Sequence, residues 1–213
     1  MNKELNQRQD LLLNTVFMFN GLKRSGKDTC SKLLKEILKE DFDLDFQILA
    51  FAQPMKNILS KSFGITLEEL EHLKNVEDTM YFHNKELDFR KFIEEFGQAV
   101  KEEMGQDIWA RITWGKVEES IEALGIGCII SDFRFPIEYP NYSDFNVVTI
   151  KVNNDNILCS GSVAETSLDD FNFVYHIQNH IKWDNEVEEL EVFEDLKEQI
   201  RFILADYLYE RDL

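Results

Sequence analysis

A chain of 213 residues, 44% of them hydrophobic and 17 of them phenylalanine, can bury one α/β core without disulfide support. Its formal net charge of −18 repels a nucleic-acid backbone, so nucleic acid is excluded as the expected partner, while small phosphates stay open to a local cluster of cations. No run reaches the ~20 apolar residues of a membrane span, the leader is too polar for a signal peptide, and Cys30, Cys128 and Cys159 lack the spacing of a disulfide framework or zinc site; no membrane association is expected, and the expected location is the cytoplasm, a host's if the chain is viral.

Met1 to Asn14 reads as a polar leader with Leu11, Leu12 and Leu13 placed to pack on the domain edge. Thr15 to Asn20 is the first strand. Gly21-Leu22-Lys23-Arg24-Ser25-Gly26-Lys27-Asp28-Thr29 follows, and then a helix from about Gly26 to Lys39 with Leu33, Leu34, Ile37 and Leu38 at helical spacing. Strand, glycine-bracketed loop and helix in that order form a phosphate-binding P-loop, in which backbone N–H groups and the helix dipole face an anion. Lys27 then reaches the β- and γ-phosphates of a nucleoside triphosphate. The position after the lysine, ordinarily a Ser or Thr that ligates Mg²⁺, is Asp28, and the hydroxyl comes one residue later at Thr29. Asp28 therefore either binds the ion through water or orients an attacking phosphate oxygen. Lys23 and Arg24 are phosphate ligands or solvated loop charges.

An acidic turn, Asp41 to Asp45, precedes a second strand, Phe46 to Phe51. A helix with Pro54 in its first turn starts at Ala52 and ends at Gly64, and Thr66-Leu67-Glu68-Glu69 has the pattern of a capping box that opens another. From there to Lys85 the polar, irregular sequence predicts a mobile segment. Phe89 to Met104 is an amphipathic helix with Phe92, Ile93, Phe96, Val100 and Met104 on one stripe, and Ile108 to Leu124 a further helix. Gly127 to Asp132, Asn146 to Val152 and Phe173 to Ile177 are the third, fourth and fifth strands, and Glu186 to Leu208 a closing acidic helix.

Alternation of strands and helices with the loop after the first strand predicts a three-layer α/β P-loop NTPase fold, a central parallel sheet with helices on both faces. Residues 1–213 form one domain, and residues from about 53 to 115 form an inserted helical subdomain able to close over substrates. At the expected ligand edge, Asp132 is a strand-terminal cap or a partner of Mg²⁺, and Arg134 a phosphate ligand or a partner of Glu138. Trp109 is a subdomain anchor or a platform for a base, and Arg90 and Lys56 are phosphate ligands or surface residues. His72, His83, His176 and His180 lack metal-ligand spacing.

Together the loop Gly21 to Thr29, Phe51-Ala52-Gln53-Pro54-Met55-Lys56, Phe96-Gly97 with Asp107-Ile108-Trp109, Ser131-Asp132-Phe133-Arg134-Phe135-Pro136-Ile137-Glu138, and Glu165 with Asn179 resemble the deoxynucleoside monophosphate kinases of tailed bacteriophages. The resemblance spans roughly residues 15 to 180 and implies transfer of the γ-phosphoryl of ATP to a deoxynucleoside monophosphate, with Mg²⁺ as cofactor. It implies that Gly21, Lys23, Arg24, Ser25, Gly26, Lys27, Asp28 and Thr29 hold the donor and that Lys27, Asp28, Arg24 and Arg134 work at the transferring phosphoryl. Lys56, Arg90, Trp109, Arg134 and Glu165 would face the acceptor, and Asp28, Thr29 and Asp132 the ion. Glu165 faces the acceptor or a solvated turn. The departure from the family pattern is that Asn153 to Ala164 contains no arginine and no histidine, leaving no lid arginine there. A homodimer stays open. The competing readings are a P-loop kinase of another small phosphorylated acceptor, such as phosphomevalonate or dephospho-coenzyme A, and a non-catalytic nucleotide-binding regulator; a GTPase is disfavoured by the lack of an Asn-Lys-x-Asp motif.

Overall fold

The computed structural model describes residues 2–75, 80–82, 85–140, 144–180 and 186–211. Among them the strands are β1 (Thr15–Asn20), β2 (Phe46–Leu49), β3 (Met80–Phe82), β4 (Lys85–Leu87), β5 (Gly127–Ile130), β6 (Asn146–Asn153) and β7 (Tyr175–Gln178). The helices are α1 (Asn2–Leu13), α2 (Lys27–Phe42), α3 (Gln53–Phe63), α4 (Leu67–Asn75), α5 (Phe89–Met104), α6 (Ile108–Glu118), α7 (Val163–Thr166) and α8 (Glu186–Tyr209). The chain divides into two compact units, Met1–Ala50 with Gly115–Leu213, and Phe51–Trp114.

In the first unit five strands pair in the order β2-β5-β1-β6-β7, all parallel. All six residues of the central β1 are buried, and since successive side chains point to opposite faces, both faces of the sheet are covered. On one face Phe17 and Phe19 share a core with Leu33, Leu34, Ile37 and Leu38 of α2 and Leu196, Ile200, Ile203 and Leu204 of α8. Tyr207 meets Phe17 edge-on at 6.2 Å, and its hydroxyl lies 2.8 Å from that of Thr15, so the polar end of a buried ring is paired. This is a three-layer α/β architecture, a parallel sheet with helices on both faces.

Parallel pairing puts the carboxyl ends of all five strands on one edge. The chain leaving β1 turns towards β2 on one side, and the chain leaving β6 turns towards β7 on the other. Connections that diverge in this way leave a crevice between them, where open α/β sheets bind ligands. The phosphate loop and the β6–β7 connection flank it.

The second unit has its own apolar centre, in which Leu59, Leu70, Phe89 and Ile93 are buried and Phe63 meets Phe92 edge-on at 5.7 Å. Its helices α4 and α5 start where side chains meet the orphan N–H groups of a first turn. The Glu69 amide donates to Thr66 Oγ1 at 3.1 Å while the Thr66 amide donates to Glu69 Oε2 at 2.7 Å, the reciprocal box read from the sequence. Asp88 caps α5 by accepting from the Lys91 amide at 3.0 Å.

Several boundaries differ from the sequence reading. The polar leader is the helix α1, pinned by a fully buried Leu12; its apolar residues gather at one end, so no helical period is visible. The second strand stops at Leu49 because its partner β5 stops at Ile130, two residues before the Asp132 expected to end that strand. The helix expected through Leu124 ends at Glu118 and continues as a π-helical turn, Glu119–Ala123, where the Ser120 hydroxyl donates to the Ile126 carbonyl at 2.8 Å. Within the segment expected to be mobile, β3 and β4 pair antiparallel, too short to show an alternating pattern; residues 76–79 and 83–84, including His83, lie outside the described residues.

Candidate functional site

The turn from β1 into α2 is shaped by two glycines. Gly26 has φ +98°, a left-handed conformation that costs other residues about 1–2 kcal/mol, and a Cβ there would run into the Asn179 side-chain amide. Asn179 is wholly buried, its side-chain amide donates to the Ser25 carbonyl at 2.8 Å, and its backbone amide donates to the Asn153 carbonyl at 2.8 Å. A Cβ on Gly21 would lie 2.7 Å from the Val152 carbonyl and against the Ser25 hydroxyl. The loop is thus closed against the ends of β6 and β7 with no room for side chains at either glycine. Gly26→Ala is expected to lower stability by about 1–3 kcal/mol and to weaken nucleotide binding with it, measurable as a melting-temperature shift alongside ATP titration.

Lys27 opens α2 and is 6% exposed. Burial pushes the pKa of its ammonium below the ordinary value; the Asp28 carboxylate, with an oxygen 3.9 Å away, opposes the shift, Arg134 adds to it, and Asp132 and Glu165 oppose it. The sequence-derived residues Asp28, Asp132, Arg134 and Glu165 therefore each act on Lys27 at the carboxyl edge, although they come from three separate connections. Asp28 is largely exposed.

The backbone that carries Arg134 is held on three sides. The Phe133 amide donates to the Phe19 carbonyl at 3.0 Å, the Asn20 side chain donates to the Phe133 carbonyl at 2.8 Å, and the amides of Arg134 and Phe135 donate to Glu138 Oε2 at 2.7 and 3.0 Å. Below it, Phe133 is fully buried and meets Phe171 edge-on at 5.2 Å. The spacing from Arg134 to Glu138, read in the sequence as an ion pair in waiting, thus also closes a backbone turn, and the carboxylate was the signal for it.

Glu165, in α7 midway along the β6–β7 connection, accepts from the Lys23 amide at 3.3 Å through one oxygen. Its other oxygen accepts from the Ser160 amide at 2.7 Å, the Ser160 hydroxyl at 2.6 Å and the Cys159 thiol at 3.7 Å. The Ser160 hydroxyl is the chief cause, with these other donors, of a carboxyl pKa lowered from 4.5 to about 2. A carboxyl whose folded pKa lies below its unfolded value binds fewer protons in the folded state, so its stabilisation is complete above pH 4.5 and is lost as pH falls towards 2. The melting-temperature difference between the wild type and Glu165→Gln is expected at pH 7, to shrink below pH 4.5 and to close near pH 2.

The remaining sequence-derived residues lie in the second unit. Lys56 pairs with Glu71, Arg90 lies in the first turn of α5, and Trp109 is 7% exposed with its indole N–H directed at the Gly97 carbonyl at 3.4 Å. Residues the sequence reading passed over are Ser160 and Cys159, whose roles depend on contacts with Glu165.

The loop itself fits a polyphosphate. The Ser25 hydroxyl is buried without a hydrogen-bond partner among the described residues, the two glycines keep the cradle free of Cβ atoms, and Lys27 is a desolvated cation. For Mg²⁺, no group of three or more His, Cys, Asp or Glu side chains suited to a metal occurs among the described residues. Such a donor set suits only an ion held by few protein oxygens and by phosphates. Among the described residues no helix is long and apolar enough to cross a membrane.

No protein-family model matches the chain. No curated protein matches it either. Among solved structures, a dephospho-CoA kinase from Campylobacter jejuni is similar over 93% of this chain and 98% of its own, with a TM-score of 0.40 and 12% identity.

Proposed function

We propose that the protein is a nucleotide kinase that transfers the γ-phosphoryl of ATP to a deoxynucleoside monophosphate. The observation that supports this reading is the gathering of Lys27, Asp28, Asp132 and Arg134 at the carboxyl edge beside a P-loop, with charges close enough to shift the Lys27 ammonium. Phosphoryl transfer leaves little covalent chemistry to the protein, which must hold two phosphates in line and spread positive charge over the equatorial oxygens. The loop amides, Lys23 and Lys27 hold the donor, with Arg24 and Arg134 at the transferring group. Thr29, Asp28 and Asp132 would hold a magnesium ion, which would supply charge neutralisation to the phosphates.

Asp28 is exposed and next to the buried Lys27, a place from which it receives or orients a proton of the attacking phosphate. The acceptor is read from the sequence resemblance, which assigns Lys56, Arg90, Trp109, Arg134 and Glu165 to it.

Asp28→Asn is expected to lower kcat by about 10²-fold or more while ATP affinity changes little; normal turnover in this variant removes the role. The reading as a whole is tested by ADP release from ATP and Mg²⁺ with each deoxynucleoside monophosphate in turn, against ribonucleotides, dephospho-coenzyme A and no acceptor. Turnover dependent on a deoxynucleotide supports the kinase and identifies its base. Turnover only with another acceptor, or ATP binding without turnover, overturns it.

A further inference from the structure

We propose that Glu165 is a positioning residue that buckles the β6–β7 connection to the phosphate loop and so sets the backbone at Lys23 and Arg24, instead of contacting the acceptor. The inference rests on the kinase reading only for its kinetic consequence. Its geometric part stands on the contacts of one carboxylate. One oxygen takes the Lys23 amide, and the other takes the Ser160 amide, the Ser160 hydroxyl and the Cys159 thiol. Each carboxylate oxygen accepts about two hydrogen bonds, so Oε2 is fully taken by the donors from Cys159 and Ser160, and Oε1 is engaged by the loop amide.

The place of this buckle matters because β1 and β6 are neighbours whose connections diverge, and the crevice between them is open to water unless something ties its walls. Glu165 ties one wall to the other. The residue after its Lys23 contact is Arg24, the one non-glycine residue of the loop with positive φ, at 70°. A left-handed arginine costs about 1–2 kcal/mol and persists only where its surroundings hold it. On the far side of Arg24 the Ser25 amide donates to the Leu22 carbonyl at 3.0 Å; that carbonyl and the Lys23 amide belong to one peptide, so the Glu165 contact and this turn hold the same peptide and close the backbone around Lys23 and Arg24.

The chemistry of the connection gives the same sense. From Asn154 to Val174 there is no Lys, Arg or His, while Asp155, Glu165, Asp169 and Asp170 are acidic. A carboxylate facing a triphosphate repels it unless its charge is already met by donors. Glu165, with donors on both oxygens, meets that condition, and the cations beside the phosphates come from the loop it braces.

The test uses the full-length protein and two variants, Glu165→Gln and Ser160→Ala, the second removing one donor from the same oxygen without touching the loop. Amide hydrogen exchange is read residue by residue in the free protein, and ATP affinity is read by calorimetry. With Glu165→Gln, exchange at both Lys23 and Ser160 is expected to quicken about tenfold or more, ATP to bind about tenfold more weakly, and the KM for the acceptor to stay unchanged. Ser160→Ala is expected to give a smaller effect in the same direction at Lys23. Unchanged exchange at Lys23 in Glu165→Gln, or a variant that raises only the acceptor KM, overturns the proposal. If the wild type turns over no acceptor, exchange and ATP affinity still decide it, separately from the kinase reading.

Discussion

Lys27→Ala is expected to abolish phosphoryl transfer, with kcat/KM lowered by about 10³-fold or more, while the melting temperature stays close to that of the wild type. Lys27 brings a buried ammonium to a region that also holds the carboxylates of Asp28, Asp132 and Glu165. Removing the ammonium leaves Arg134 as the one cation among the charges that act on it, and the local balance turns against a polyanion. The same burial that lowers its pKa strips it of water, so a phosphate meets an ammonium that need not first be desolvated. Lys27→Arg is not expected to restore activity, because a planar guanidinium cannot take the place of a compact ammonium at a closed loop. Steady-state kinetics together with ATP titration separate lost binding from lost turnover, and a variant with wild-type kcat/KM removes Lys27 from the machinery.

Arg134→Ala is expected to lower kcat/KM by about 10³- to 10⁵-fold, or about 4–7 kcal/mol of transition-state stabilisation. Its backbone is fixed through Phe133, Asn20 and Glu138, and its charge is close enough to press on Lys27. Two cations held near one another without a ligand are unfavourable, and a transferring phosphoryl placed between them relieves the repulsion. Arg134→Lys should recover only part of the loss, since an ammonium grips one oxygen where a guanidinium grips two. Glu138→Gln, which weakens the acceptor for the Arg134 amide, should fall between the two. A variant Arg134→Ala with unchanged kcat/KM would remove this residue and leave the loop cations to act alone.

Within the candidate site, Lys27 and Asp28 were legible because neighbours in sequence are neighbours in space, and Gly21 and Gly26 because a loop around an anion requires them. Arg134 was legible as a residue just past a buried strand. The buckle through Glu165 was not, since it joins Lys23 to Ser160 across the crevice and no local period marks such a pair. Nor was Asn179 as a support for Ser25, for the same reason.

Local chemistry in the sequence by itself determined the phosphate loop, the capping box at Thr66 and Glu69, the extent of α5 and the parallel α/β class, because hydrogen bonds a few residues apart and apolar spacing act within one element. Only the tertiary structure decided the strand order β2-β5-β1-β6-β7, the helix at the leader, the end of β2 and the shared field around Lys27. Those depend on which distant segments are brought together, and a strand carries no record of its neighbour until burial and backbone pairing select one.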